Sequence, residues 1–218
     1  MPARLAAFAL LLGLSALARA QPAAPGYYRV SGISAGDVLN VRAEPGVGHR
    51  KVAALAPGAS PLEVVEVRTV QGAPWGLIAT GEGAGWVSMR YVERIELERL
   101  ADTEVPARAT CAGNEPFWGV TFDGDTVVLE DPEAPRATLL PIEAAAPASG
   151  RLDPVLLSFA DDRGYALIER GICSDGMSDI PHGWSLHLIL DDGADAGPGP
   201  RFLSGCCRVR TDPPRNTR

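Results

Sequence analysis

The chain has 218 residues, 46% hydrophobic and 22% charged, a globular balance that argues against wholesale disorder and sets a soft expectation of one or two domains. Its 27 acidic residues outnumber 20 basic ones for a net charge of −7, and Lys51 is the only lysine. That argues against a general nucleic-acid binder and against a polybasic membrane-surface patch, since both need a basic face.

The first element is an address. Residues 1–20 (MPARLAAFALLLGLSALARA) begin with Arg4, run apolar from Leu5 to Leu17 and end in Ala18-Arg19-Ala20, a small-x-small cleavage site. The apolar run is shorter than the roughly 20 residues that cross a bilayer, and no cysteine follows it for lipid attachment. Cleavage after Ala20 is expected, which removes Arg4 and Arg19, leaves 18 basic against 27 acidic residues and takes the net charge to −9. The expected location is the periplasm or outside the cell, with no membrane span after cleavage. Residues 21–26 (QPAAPG) read as a short spacer.

From 27 to 95 short apolar runs alternate with turns: YYRV, DVLNVRAEP, KVAALA, LEVVEV, WGLIAT and GWVSMRYVERI, parted by EPGVG, APGAS, QGAPW and GEGAG. Leu39 and Val41 share one face and leave Asn40 and Arg42 on the other, while Leu62/Val64 and Val65/Val67 fall out of phase around an expected bulge. Five or six strands at this spacing predict a small β-barrel.

The order of these residues resembles the bacterial SH3 domain (SH3b). The likeness rests on DVLNVRAEPG at 37–46, a hydrophobic-Gly-x-x-hydrophobic step around 55–62, a lone Trp75, and GWVSMRYV at 85–92. It covers about a third of the chain. Such domains are envelope-targeting modules that often recognise peptidoglycan peptides, so the resemblance implies a binding role and nothing catalytic. A groove of this kind uses exposed aromatics and a few polar groups, here Tyr28, Arg42, Glu44, Trp75 and Tyr91. The plainer reading makes Trp75 and Trp86 barrel packing and pairs Arg42 with an acidic neighbour.

Residues 96–110 (ELERLADTEVPARAT) are charged, carry Pro106 and have no long apolar stripe, so they read as a semi-rigid linker and domain boundary. Between 111 and 209 seven strands are expected, at 117–122, 126–130, 138–142, 155–159, 166–169, 184–190 and 201–208. Trp184, Leu186, Leu188 and Leu190 alternate with Ser185 and His187, and Gly124 between aspartates marks a hairpin turn. Residues 143–153 and 191–200 are loops by composition, and 210–218 form a tail. The fold class is all-β, a small SH3-like barrel followed by a second antiparallel, disulfide-stapled barrel.

All four cysteines lie in this second half, and an even count in an oxidising compartment implies disulfides. Cys206 and Cys207 are neighbours and close only a strained ring with each other, which leaves Cys173–Cys206 with Cys111–Cys207 or the exchanged pairs. No C-x-x-C or histidine cluster accompanies them, so neither a metal nor a cofactor is expected.

Three stretches here, GNEPFW at 113–118, CSDGMS at 173–178 and LSGC at 203–206, resemble a family of small secreted bacterial proteins and lipoproteins whose barrels look calycin-like, in the neighbourhood of lysozyme inhibitors and META-like domains. Cys111 and Cys207 are additions to that pattern, so the resemblance implies the pairs Cys173–Cys206 and Cys111–Cys207. With Cys173 tied to Cys206, the polar set Asn114, Glu115, Asp175, Ser178 and Asp179 beside Trp118 is expected to form a second site at a barrel mouth. The plainer reading has Asn114 and Asp175 capping turns while Trp118 fills the barrel.

Catalysis finds little support. His49 follows a glycine in a turn, and His182 and His187, five apart on a strand, point to opposite faces. Nothing in spacing singles out Glu115, Asp175 or Asp179 as a carboxylate pair. The expectation is a non-catalytic cell-envelope binding protein whose partner is peptidoglycan or an envelope protein. The alternatives are an inhibitor of a secreted hydrolase such as lysozyme, which mature acidity suits, and, further off, a wall hydrolase.

Overall fold

The computed structural model describes residues 24–81, 83–132, 134–191 and 199–210. The expected leader at 1–20, the first half of the spacer and all but the first residue of the tail lie outside the described residues, as do 192–198 of the last long loop. The protein is all-β, built from an antiparallel sheet and a closed antiparallel barrel.

The sheet holds seven strands: β1 (Gly26–Val30), β2 (Leu39–Arg42), β3 (Lys51–Leu55), β4 (Leu62–Val70), β5 (Ala73–Ala79), β6 (Ala84–Ser88) and β7 (Val92–Arg94). Their order is β3-β2-β6-β5-β4-β1-β7. The six apolar runs become seven strands because a 3-10 turn at Met89–Tyr91 divides the last run into β6 and β7. Leu39, Val41, Val64, Ile78 and Val87 form one core, and side chains from both ends of the sheet, Val52 and Leu55 of β3 and Val92 of β7, pack against it. The sheet therefore rolls around its core although no pairing joins its end strands. The expected bulge in β4 is a register shift between Val64 and Glu66 that turns both Val64 and Val65 inward from solvent. Gly85 is where β6 crosses β2, and a Cβ there would lie 2.4 Å from Val41 Cγ1.

The barrel has eight strands: β8 (Ala109–Asn114), β9 (Phe117–Asp123), β10 (Thr126–Glu130), β11 (Thr138–Pro147), β12 (Val155–Phe159), β13 (Gly164–Cys173), β14 (His182–Leu190) and β15 (Arg201–Val209). They close in the order β10-β11-β12-β13-β14-β15-β8-β9. Seven fall on the expected runs, but β11 continues to Pro147 through residues expected as loop, held by its pairing with β12, and β13 extends well beyond 166–169 in both directions by pairing with β14. The eighth, β8, has the sequence ATCAGN, too short in side chain to show alternation, yet Cys111 on it is fully buried. Trp184, Leu186, Leu188 and Leu190 all face the interior, which Phe122, Phe159, Leu129, Leu140, Leu157 and Ile168 fill. An eight-stranded barrel is just wide enough for its own side chains, so this interior is a core. The disulfides are Cys111–Cys207, across directly paired residues of β8 and β15, and Cys173–Cys206.

Residues 96–110 lie against the barrel. Leu100 N–H donates to the Val105 carbonyl (2.8 Å), the Thr103 hydroxyl donates to the Leu100 carbonyl (2.6 Å), and Leu100 and Val105 join the barrel core. Sheet and barrel are joined by a polar node. Trp184 Nε1 of β14 donates to the Tyr27 hydroxyl of β1 (2.7 Å), which donates to Glu63 Oε1 of β4 (3.3 Å). Gly183 N–H also donates to that carboxylate. Arg170 of β13 lies over the Trp184 ring (5.0 Å) and pairs with Glu104 (3.1 Å), which pairs in turn with Arg99 (2.5 Å).

Candidate functional site

The outer face of the N-terminal sheet carries a groove of about 380 Å³. One wall is the β1–β2 connection, where Asp37 N–H donates to the Ser34 carbonyl (3.1 Å) and Asp37 Oδ1 accepts from Val38 N–H (2.7 Å). The backbone bond from Asp37 to Ser34 closes a turn that shapes this wall from within the chain. The floor comes from β2 and β5. Because Leu39 and Val41 point into the core, Val38, Asn40 and Arg42 share the opposite parity and face the groove. Trp75, buried on this face of β5, and Ser88, its register partner on β6, lie beside them. Tyr91 closes the other wall; its carbonyl accepts from Ser31 N–H (2.9 Å), and its side chain is left 39% exposed.

Two opposite charges sit in this lining, Asp37 and Arg42. The Arg42 guanidinium donates to the His49 carbonyl (2.7 Å), which anchors one nitrogen and aims the group. An aromatic floor with one anion and one cation held at its sides suits a short ligand carrying both apolar parts and charges of each sign.

Of the five residues expected in a groove, the structure brings Arg42, Trp75 and Tyr91 together. Tyr28 is elsewhere: it is 4% exposed and belongs to the core of the sheet. Glu44 also stands outside, on the turn after β2, with its carboxylate 3.7 Å from the His49 imidazole. The reason for Tyr28 is parity, since it alternates with Arg29 and pairs with Leu62 on the inward side. Asp37, Asn40 and Ser88 were missed, yet the alternation that buries Leu39 and Val41 contains the signal for Asn40. Trp86 is buried on the outer face beneath Arg68, whose guanidinium lies 4.9 Å from the ring, and takes no part in the groove.

In the barrel, the Cys173–Cys206 bridge does lay the 173–178 loop beside β8, and Asn114 Nδ2 donates to the Asp175 carbonyl (2.7 Å). The Asp175 carboxylate accepts from Ser178 N–H (2.8 Å), Met177 N–H (3.0 Å) and the Ser178 hydroxyl (2.8 Å). Those bonds, with the Ser178 N–H foremost, hold its carboxyl below the usual aspartate range. All of them are made inside the turn, so the group's chemistry is spent on shaping the loop. Trp118 is buried with its indole laid on Gly113 and Gly205, while Glu115 and Asp179 are exposed. The structure thus joins Asn114, Asp175 and Ser178 by hydrogen bonds and places Trp118 with Asn114 in the lining of one surface cavity, with Glu115 and Asp179 outside both.

No family model, curated protein or solved structure matches the chain.

Proposed function

We propose that this is an exported, non-catalytic cell-envelope binding protein whose N-terminal groove takes a peptide of peptidoglycan or of an envelope partner. One observation carries the reading: Asp37 and Arg42 stand in a single groove whose remaining surface includes Trp75 and Tyr91. A stem peptide presents the matching chemistry, with ammonium and carboxylate groups on a short chain and methyl-bearing residues between them. The leader grammar of residues 1–20 supports the location, and the two disulfides are compatible with an oxidising compartment.

Retention on purified peptidoglycan tests it. The wild-type chain is expected to co-sediment, and Arg42→Ala and Tyr91→Ala are each expected to weaken retention by about tenfold, the effect of losing roughly 1.4 kcal/mol. Both side chains are partly exposed, so the variants keep the fold. A wild-type chain that stays in the supernatant sinks the proposal.

A further inference from the structure

The barrel's outer surface carries a second feature that the groove does not use. Register places Tyr165, Ile189 and Phe202 side by side in one row across β13, β14 and β15. The neighbouring row runs through Leu156, Leu167 and His187 on β12, β13 and β14. Ser158 and Ser204 complete the two rows at their ends, and Ala144 and Ala146 of β11 continue them. No position in either row carries an aspartate, glutamate, lysine or arginine, on a chain of net charge −7. Phe202 is 63% and Tyr165 50% exposed.

The geometry narrows the occupant. The barrel is closed, so a peptide cannot add to it as an extra strand, and only side chains can make contact. The exposed apolar surface of Tyr165, Phe202, Leu156 and Ile189 is on the order of 400 Å² from their sizes, half of the roughly 800 Å² per partner that a stable dimer buries. Two copies face to face would also bring like charge together. A lipid surface would call for basic residues around the patch. An uncharged surface with two ring faces in line suits a flat, uncharged, linear ligand. Tyr165 and Phe202 stand two strands apart in one row, about 9–10 Å at the usual strand spacing, close to the two-ring repeat of a β-1,4-linked glycan. The His187 ring stacks on Phe202 (centroids 6.0 Å, planes 10° apart) and is hydrogen-bonded to the Ser204 hydroxyl (3.0 Å). This arrangement extends the aromatic surface and adds polar groups at its edge. The C–H faces of pyranose rings are attracted to such ring faces, and their hydroxyls to such edges.

We infer that the outer face of β12–β15 is a stacking platform for an uncharged β-1,4-linked glycan strand, the saccharide backbone of the wall polymer whose peptide enters the groove. The inference rests on the groove reading for the identity of the polymer alone. Two weak sites on one chain, engaging two parts of one polymer, reinforce each other through effective concentration.

Calorimetric titration of the full chain with chitohexaose, beside a parallel titration with a soluble stem peptide, tests the platform. Chitohexaose is expected to bind the wild type, to bind the Tyr165→Ala/Phe202→Ala double variant at least about tenfold more weakly, and to bind Arg42→Ala unchanged. The stem peptide is expected to show the reverse pattern. An unchanged melting temperature shows that the double variant is folded, as outward positions allow; if it is not, Tyr165→Ser alone is used. Stem-peptide binding with no chitohexaose binding overturns the platform and leaves the groove reading standing. Chitohexaose binding that is lost on Tyr165→Ala/Phe202→Ala, without stem-peptide binding, upholds the platform while the groove reading falls. Equal chitohexaose affinity in the wild type and the double variant overturns it. So does a wild-type dimer, seen by sedimentation, that the double variant dissolves while chitohexaose binds neither.

Discussion

Trp118 shows how a single motif residue gets its role. A Cβ on Gly113 would lie 2.1 Å from the Trp118 indole nitrogen, and one on Gly205 would lie 2.0 Å from the Ala112 carbonyl and 2.9 Å from Trp118 Cζ2. The two glycines make the space in which the indole lies, so the GNEPFW and LSGC stretches are two sides of one packing contact. Gly113→Ala and Gly205→Ala are each expected to cost about 1–3 kcal/mol by overpacking, a fall in melting temperature of roughly 3–10 °C for a chain of this size. Gly205→Ala should be the worse of the two, since a backbone carbonyl cannot swing aside as a side chain can. Gly171→Ala, with open space around it, should stay within about 0.5 kcal/mol in the same thermal melts. The glycines and the tryptophan were legible in the sequence. Their mutual contact was not, because β8, β9 and β15 meet only once the barrel closes.

At the scale of elements, local pattern served best where side chains were large. The Trp184–Leu190 alternation and the apolar runs of the sheet name their strands unaided, since a period of two is a local property. β8 escaped because ATCAGN contains no large apolar residue, and its place is set from outside by pairing with β9 and β15. One disulfide pins β15 to β8 along that seam, and the other ties β15 to β13. Cys111–Cys207 spans 96 residues and Cys173–Cys206 spans 33. In the chain-entropy account the longer loop stabilises by about 1 kcal/mol more, so Cys111→Ala/Cys207→Ala should lower the denaturation free energy by about 4–5 kcal/mol and Cys173→Ala/Cys206→Ala by about 3–4. Urea midpoints of the two double variants, converted with their slopes, check both the sizes and the order. The linker of 96–110 is an element whose charge pattern misleads: Leu100 and Val105 are two isolated apolar residues, and a hairpin-like bridge between Arg99 and Pro106 delivers both to the barrel core.

At the scale of the whole molecule, sheet and barrel share a buried carboxyl. Burial raises Glu63 from its ordinary value to about 7, against the lowering effect of the Tyr27 hydroxyl and Gly183 N–H that donate to it. Burial, the Glu63 charge and the hydrogen bond to Glu63 hold the Tyr27 phenol far above its usual range, so it keeps its proton, while the bond from Trp184 and the charge of Arg170 pull the other way. Between the unfolded carboxyl value near 4.5 and the folded value near 7, the folded chain binds a proton that the unfolded chain has released. Stability from this group is therefore complete below about pH 4.5, falls as pH rises through 7, and is level above, with a span of about 3 kcal/mol. Glu63→Gln removes the titration and keeps a carbonyl acceptor for Tyr27. The wild type minus Glu63→Gln difference in unfolding free energy is expected to become steadily less favourable to the wild type from pH 4.5 to 7. A difference that does not change over that interval would falsify the assignment.

Among the candidate site residues, Arg42, Trp75 and Tyr91 were legible because an arginine at an outward position of an alternating strand and isolated aromatics in the following runs already mark a face. Tyr28 was not, since the two faces of β1 differ only through the neighbours that β4 and β7 supply. By itself the sequence determined an all-β chain, most of its strands, the turn glycines and which side chains of β2 and β14 go inward, because each of these follows from a short local period or a single φ. Tertiary structure alone decided that the C-terminal strands close with an eighth that local pattern does not show, that Glu63 is linked to Trp184 through the Tyr27 hydroxyl, and that residues of five strands, none of them aspartate, glutamate, lysine or arginine, line up in two rows. Each of these depends on register between segments far apart in the chain, which is fixed only when the strands pair and the core fills.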